Sequence, residues 1–383
     1  MKFEKLKLIL ILGLTFAGKS SFGAQSLTIA SYNLENFFDT DHDEGKNDWE
    51  FLPRAYPGRA EGCKASGEDL KRCLAFDWTL PKFQLKVSQI TQALQIAQSA
   101  LVSQSTNQEG DFGKTPDIVM VVEVENSKAL AALSQAAGYG AKNFAITNSP
   151  DIRGINVGII FRTSAHLKFK QSKEYVVKNS SKPTRNILEA EFEVFGGQKL
   201  FAFVNHWPSQ ASKDSSPRIA AAQILANRIK EIQEQNPDAL VICGGDFNSL
   251  DTEKPHPFTA LLSKNEDSAP LLRDVFSVFK NDATIKQSVK NTLPKGSHYY
   301  APDKSWGMFD RFFVSRNLLE NKNTAIDVGS FRIVNDSALT KADFSRSGSD
   351  GARIPKRYNF NATDAMNAGF SDHLPIVVKL TNN

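Results

Sequence analysis

The sequence predicts an α/β sandwich with mixed sheets, on three observations. Short runs rich in Val, Ile and Phe recur along its 383 residues, and several are apolar throughout, as buried strands are. Helical patterns lie between them. Some runs neighbour each other directly in sequence, so hairpin-type pairs must coexist with helix-linked ones. In order, the strand candidates are 27–32, 117–122, 156–161, 187–195, 199–204, 239–243, 309–314 and 375–380. Apolar residues at three- and four-residue spacing mark helices over 83–102 and 219–232, with a shorter, alanine-rich one over 127–137. The second follows Ser215-Ser216-Pro217, a capping residue and then a helix-opening proline. Two polar, irregular stretches remain, 39–77 and 335–369, and long irregular loops in a compact domain are usually functional or disordered. No repeat or low-complexity linker divides the chain, so residues 24–383 read as a single domain.

Residues 1–23 read differently. Three lysines among the first seven residues precede an apolar run over 8–18, and Ser21-Phe22-Gly23 ends in small residues. That is the order of a secretory signal peptide, too short to span a bilayer. The expected location is therefore periplasmic or extracellular, without a membrane anchor after cleavage. Residues 13–20 also match the phosphate-binding P-loop pattern, but no strand precedes them, and the match is coincidental. The formal charge of +4 falls to near neutral once this lysine-rich leader is set aside. Global charge thus gives no argument for a polyanionic partner, and any such case rests on local chemistry. Cys63 and Cys73 share one irregular segment and could pair in an oxidising compartment, while Cys243 sits in an apolar run as a buried thiol. No Cys/His spacing suggests zinc.

The polar residues fall at the ends of apolar strands. Asn33 and Glu35 end the first and Glu123 the second; His206, then Asp246 and Asn248, end later ones, and Asp310, Asp372 and His373 complete the set. Strand ends of α/β folds converge on one rim, where ligand sites form. Five carboxylates in one cleft repel unless cations neutralise them, and oxygen donors without thiolates favour Mg²⁺, with Mn²⁺ or Ca²⁺ as alternatives. Singly, Asn33, Asn248 and Asp246 could be ordinary turn residues. Together they would require unrelated turns to imitate one ordered site. His42, His166, His256 and His298 lack such a setting and read as surface or structural residues. Glu125 alternates to the opposite face from Glu123 if the strand continues. Trp207 and Trp306 read first as packing residues.

At these residues the chain resembles the endonuclease/exonuclease/phosphatase superfamily, from about Leu27 to Leu380. Tyr32-Asn33-Leu34-Glu35-Asn36, Glu123-Val124-Glu125-Asn126, Arg153-Gly154-Ile155-Asn156-Val157 and Asn205-His206-Trp207-Pro208-Ser209 resemble the predicted extracellular nucleases of bacteria. The resemblance implies four layers: two mixed β-sheets packed face to face and flanked by helices. It implies a Mg²⁺-dependent phosphodiesterase, first a nuclease on DNA or RNA. Alternatives on the same fold are a sphingomyelinase, nucleotidase or other phosphatase, or a catalytically inactive binding module. A monomer without a stable protein partner is expected. Glu35, Glu123 and Asp372 would serve the metal, Glu123 chiefly, while Asn33 and Arg153 would contact phosphate. His206 would hydrogen-bond the scissile phosphate, Asp246 would orient or deprotonate water, and Asn248 would position it. His373 would stabilise phosphate or act as acid/base, held by Asp310. Arg311 departs from the pattern, standing where many relatives carry histidine or tyrosine. Arg346, Arg353, Lys356 and Arg357 offer modest support for backbone phosphate contacts.

Overall fold

Residues 25–382, apart from 68, 103–112, 179–181, 212–213, 263–269, 322 and 344–352, are described by a computed structural model. The leader 1–23 and Arg346 lie outside the described residues. In chain order the strands are β1 (Gln25–Phe37), β2 (Ile118–Val124), β3 (Phe144–Ile146), β4 (Asn156–Phe161), β5 (Leu167–Tyr175), β6 (Ile187–Val194), β7 (Gln198–His206) and β8 (Leu240–Asp246). They continue with β9 (Arg273–Asp274), β10 (His298–Tyr300), β11 (Ser305–Gly307), β12 (Asp310–Val314), β13 (Thr324–Ile333), β14 (Thr340–Ala342), β15 (Arg353–Pro355) and β16 (Ile376–Asn382). They form two six-stranded sheets, ordered β13-β16-β1-β2-β4-β3 and β5-β6-β7-β8-β12-β9, and two small hairpins. Each sheet is mixed: β1–β2 and β7–β8 are parallel, and their other pairs are antiparallel. The parallel neighbours are linked by the helices Leu80–Val102 and Ser216–Gln235, as a parallel pair requires.

The period-two alternation of strand side chains separates the layers. Leu200, Ala202 and Val204 of β7, with Leu240 and Ile242 of β8, bury themselves in the core between the sheets. Phe201, Phe203, Val241 and Cys243 face the other way, onto Ala221, Ala222, Leu225 and Ile229 of the helix Ser216–Gln235. On the far side, Phe83, Val87, Ile90, Leu94 and Leu101 of Leu80–Val102 pack on the first sheet at helical spacing. This is the expected four-layer sandwich. The eight strands read from sequence are all present. The unread ones have physical reasons: β5 is a largely exposed edge strand carrying Lys168, Lys170 and Lys173, and β13 breaks its register between Asp327 and Arg332. Cys243 is a buried free thiol, and a disulfide joins Cys63 to Cys73 between two short helices, Arg59–Ala65 and Leu70–Ala75. Among the described residues no helix is long and apolar enough to cross a membrane.

Candidate active site

Strand register delivers the polar residues to one rim. His206 and Asp310 both pair with Asp246, at the adjoining ends of β7, β8 and β12. Asn33 stands opposite Val122 where β1 and β2 end. The backbone turns sharply at these points: Glu35, Asn36, Glu123 and Asn248 adopt φ of 53°, 57°, 61° and 47°. Non-glycine residues in the left-handed region cost about 1–3 kcal/mol each and cluster where structure serves a site. The turn at Glu123 also interrupts the strand alternation. Glu123 therefore faces Asn33, whereas Glu125 is buried elsewhere and accepts from the Asp39 N–H at 2.7 Å.

Asn33 is the hub. Its Nδ2 lies 3.2 Å from Glu123 Oε1, 3.1 Å from Asp246 Oδ2 and 3.5 Å from His373 Nε2. One amide thus bridges carboxylates from both sheets. The second Glu123 oxygen accepts from the Asn36 N–H at 2.9 Å. His373 is held from behind, its Nδ1 2.6 Å from Asp310 Oδ2. Its backbone N–H donates to Ser371 Oγ, which in turn donates to the Asn33 carbonyl at 2.8 Å. Asn248 donates its backbone N–H to Asp246 at 2.9 Å and its Nδ2 to the Trp207 carbonyl at 3.0 Å. Trp207 is buried against Phe247 and Phe258, and so is a packing residue.

The two histidines carry opposite charge tendencies. Burial, then the guanidinium groups of Arg185 and Arg153, hold His206 well below the usual imidazole range, so its ring is neutral. Burial also disfavours charge on His373, but Asp310 outweighs it and, with Asp246, raises that ring well above the usual range. Each points Nε2 at Asp246 Oδ2, at 3.8 Å for His206 and 3.7 Å for His373. Burial pushes Asp246 itself up to about 7, against the pull of His373. Burial, then the nearby Asp372, likewise pushes Glu35 up to about 7.

Glu35 has partners that the sequence did not suggest. Arg357 Nε donates to its Oε1, the Tyr358 N–H donates to its Oε2 at 3.1 Å, and an Arg357 terminal nitrogen lies 3.7 Å from Asp372 Oδ2. The buried Lys86 donates to the Glu35 carbonyl at 3.0 Å. Arg153, expected on phosphate, forms a fork with Asp151 and is half-exposed. With Arg185, Arg218 and Lys182 it lines a 670 Å³ cleft. Of the other basic loop residues, Arg353 is tied to Thr340 and Ser337, and Lys356 to the Met366 carbonyl. Arg311 is structural, buried against Asp274 and the Met308 carbonyl.

His298, read as surface or structural, bridges to His373 with ring centroids 4.5 Å apart, and burial lowers it to about 4. Lys86 carried a signal, as the one cation on an apolar helical stripe; His298 carried none. Among the described residues no three His, Cys, Asp or Glu groups converge as a ready metal-holding set. The donor chemistry nonetheless fits a hard divalent cation, because the acidic groups at the rim are carboxylates beside an amide, without a thiolate.

A family model described as the endonuclease/exonuclease/phosphatase family matches residues 28–382. No curated protein matches the chain. Among solved structures, a family protein from Bacteroides thetaiotaomicron is 15% identical, with 94% of this chain and 99% of that one covered at a TM-score of 0.50. That likeness concerns the fold. Truncated TDP2 of Caenorhabditis elegans is 18% identical over 93% of this chain and 97% of that one, at a TM-score of 0.47. A mannosyl-6-phosphatase of Bacteroides thetaiotaomicron is 16% identical over 92% and 99%, at 0.48.

Proposed function

The chain belongs to the endonuclease/exonuclease/phosphatase family, and from that premise we propose that it is an exported nuclease using Mg²⁺ or Mn²⁺. Membership makes the reaction class phosphoester hydrolysis; polymer, cofactor and compartment are our reading. The observation that carries it is the pair of histidines with opposite charge tendencies flanking Asp246.

Asp246, held near neutrality by burial, is suited to take a proton from an attacking water at Oδ2. Asn248 is fixed beside it and positions that water. Because Asp310 can only accept when ionised, His373 carries its proton on Nδ1 toward Asp310 and presents Nε2–H to the cleft. This cation steadies a phosphate oxygen or returns a proton to the leaving group. Neutral His206 adds a second, uncharged contact without repelling His373. Glu123 and Asp372, with Glu35 behind them, would hold the divalent cation. When bound, that cation neutralises charge and orients the phosphate.

The cleft that Arg185 ties to the Trp207 carbonyl next to His206, lined by Arg153, Arg185, Arg218 and Lys182 with the carboxylate Asp151 among them, leaves room for a substrate that extends beyond the scissile phosphate. The disulfide and the leader-like first 23 residues support export. Purified protein lacking the leader should be assayed on plasmid DNA, RNA, sphingomyelin and nucleotides, with and without EDTA. Polymer cleavage abolished by EDTA is the expected result. Turnover of sphingomyelin or mononucleotides in place of polymers refutes the nuclease reading, and no turnover at all makes the fold a binding module.

A further inference from the structure

We propose that Arg357 is a phosphate-binding catalytic residue of this site, presented by an aromatic seat that the two long irregular loops build together. The proposal rests on the phosphodiesterase reading above and adds a residue to it. A guanidinium carries five N–H donors in a planar fork. One edge of the Arg357 fork is tethered, through Nε to Glu35, and the side chain stays 65% exposed at the mouth of the acidic site. Asp372, which it approaches to 3.7 Å, immediately precedes His373. An arginine fixed on one edge and open on the other presents donors in the geometry that a phosphate accepts.

The exposed side chain stands on a packed base. Tyr358 and Phe360 follow Arg357 in the chain and enter an aromatic cluster contributed by the other loop. Phe360 meets Phe51, Phe76 and Trp78 at centroid distances of 5.9, 5.8 and 5.7 Å. Trp78 donates its indole N–H to the Phe38 carbonyl at 3.1 Å, which ties the seat to the chain just after β1. Lys86 lies beneath, its ammonium 3.8 Å from the Tyr358 ring centroid and 4.8 Å from that of Phe360. The returning leg of the loop presses on the Arg357 backbone. A Cβ at Gly369, whose φ is +70°, would meet the Arg357 carbonyl oxygen at 2.2 Å. A surface ion pair alone does not explain such a mount, since exposed pairs contribute little, whereas a group that must meet a reacting phosphate requires a rigid seat.

The test uses bis(p-nitrophenyl) phosphate, plasmid DNA and inorganic phosphate as probes. Arg357→Gln should lower kcat/KM on both substrates on the order of 10- to 100-fold, the scale of a lost charged hydrogen bond. Arg357→Lys should fall between, keeping charge but losing the fork. Added guanidinium should partly restore Arg357→Ala, and should not restore Phe360→Ala, which would shift the arginine without removing it. Calorimetry should show weaker inorganic phosphate binding in Arg357→Gln, with Mn²⁺ binding by electron paramagnetic resonance kept or tightened as Glu35 and Asp372 lose their counterion. Unchanged kcat/KM and phosphate affinity would overturn the proposal. So would higher activity with tighter Mn²⁺ binding, which would make Arg357 a counterion competing for the carboxylates. If the wild type hydrolyses nothing, the functional reading fails and the catalytic role with it, and the phosphate titration decides by itself whether Arg357 binds phosphate.

Discussion

Asp310→Asn isolates the charge behind His373 while keeping nearly the same shape. Asp310 is fully buried, and its Oδ2 sits 2.6 Å from His373 Nδ1. Its backbone N–H donates to Ser297 Oγ at 2.9 Å, so the strand end should stay in place. The variant loses the carboxylate that keeps the ring charged, while Asp246 and Asp372 still favour that charge. The loss is therefore partial. Partners behind a functional histidine typically matter by about 10- to 100-fold, or about 1.4–2.7 kcal/mol in the barrier. His373→Ala removes the proton donor itself and should cost about 100- to 10,000-fold. If Asp310 acts only through His373, the double variant should match His373→Ala within about twofold. Steady-state rates on plasmid DNA at saturating Mg²⁺ read this directly. Multiplied losses in the double variant would refute the reasoning and give Asp310 an independent role.

Glu123→Gln should raise the Mg²⁺ needed for half-maximal activity, and exhaustive EDTA dialysis of the wild type should abolish hydrolysis. An unchanged Mg²⁺ titration would move the principal ligand away from Glu123. Gly245→Ala should destabilise the fold, because a Cβ there, at φ +134°, would lie 1.9 Å from the Asn205 carbonyl oxygen of the neighbouring strand. Overpacking costs about 1–3 kcal/mol or more, which thermal melting would register as a Tm lower by several degrees. Replacing Cys63 and Cys73 by serine opens a link between positions 10 apart in sequence. In the chain-entropy view that costs about 2–3 kcal/mol, readable in urea denaturation of the oxidised wild type against the double variant.

Much of the site was legible because its residues terminate apolar strands. A run such as 239–243 announces a buried strand, and the polar letters after it must lie at that strand's end. Register then places Asp246 between His206 and Asp310. What was illegible comes from loops, where no periodicity constrains the outcome. Arg357 sits in a polar stretch whose basic residues look interchangeable in sequence, yet Arg353 and Lys356 bond backbone carbonyls while Arg357 enters the acidic site. His298 precedes two tyrosines in a three-residue strand, too short to show a pattern. Its contact with His373 depends on the return of the chain at Ser371–Leu374, far away in sequence.

The motif Gly244-Gly245-Asp246-Phe247-Asn248 shows why the catalytic letters and the fold are coupled. Each glycine has a separate steric duty. A Cβ at Gly244 would strike Met120 Sδ at 2.4 Å, so this glycine lets β8 approach the first sheet. Gly245 lets β8 approach β7 through the Asn205 backbone. Only where β8 comes close in both directions can Asp246 reach Asn33 across the sheet interface and His206 across the strand pair. Phe247 then anchors the turn in the outer core against Phe258 and Phe313 at 5.8 and 4.9 Å. Asn33 accordingly does two jobs, joining the sheets at Glu123 and Asp246 and aligning the site that spans them. A change that separates the sheets by even one methyl group should therefore be felt first as lost hydrolysis, before the core itself gives way.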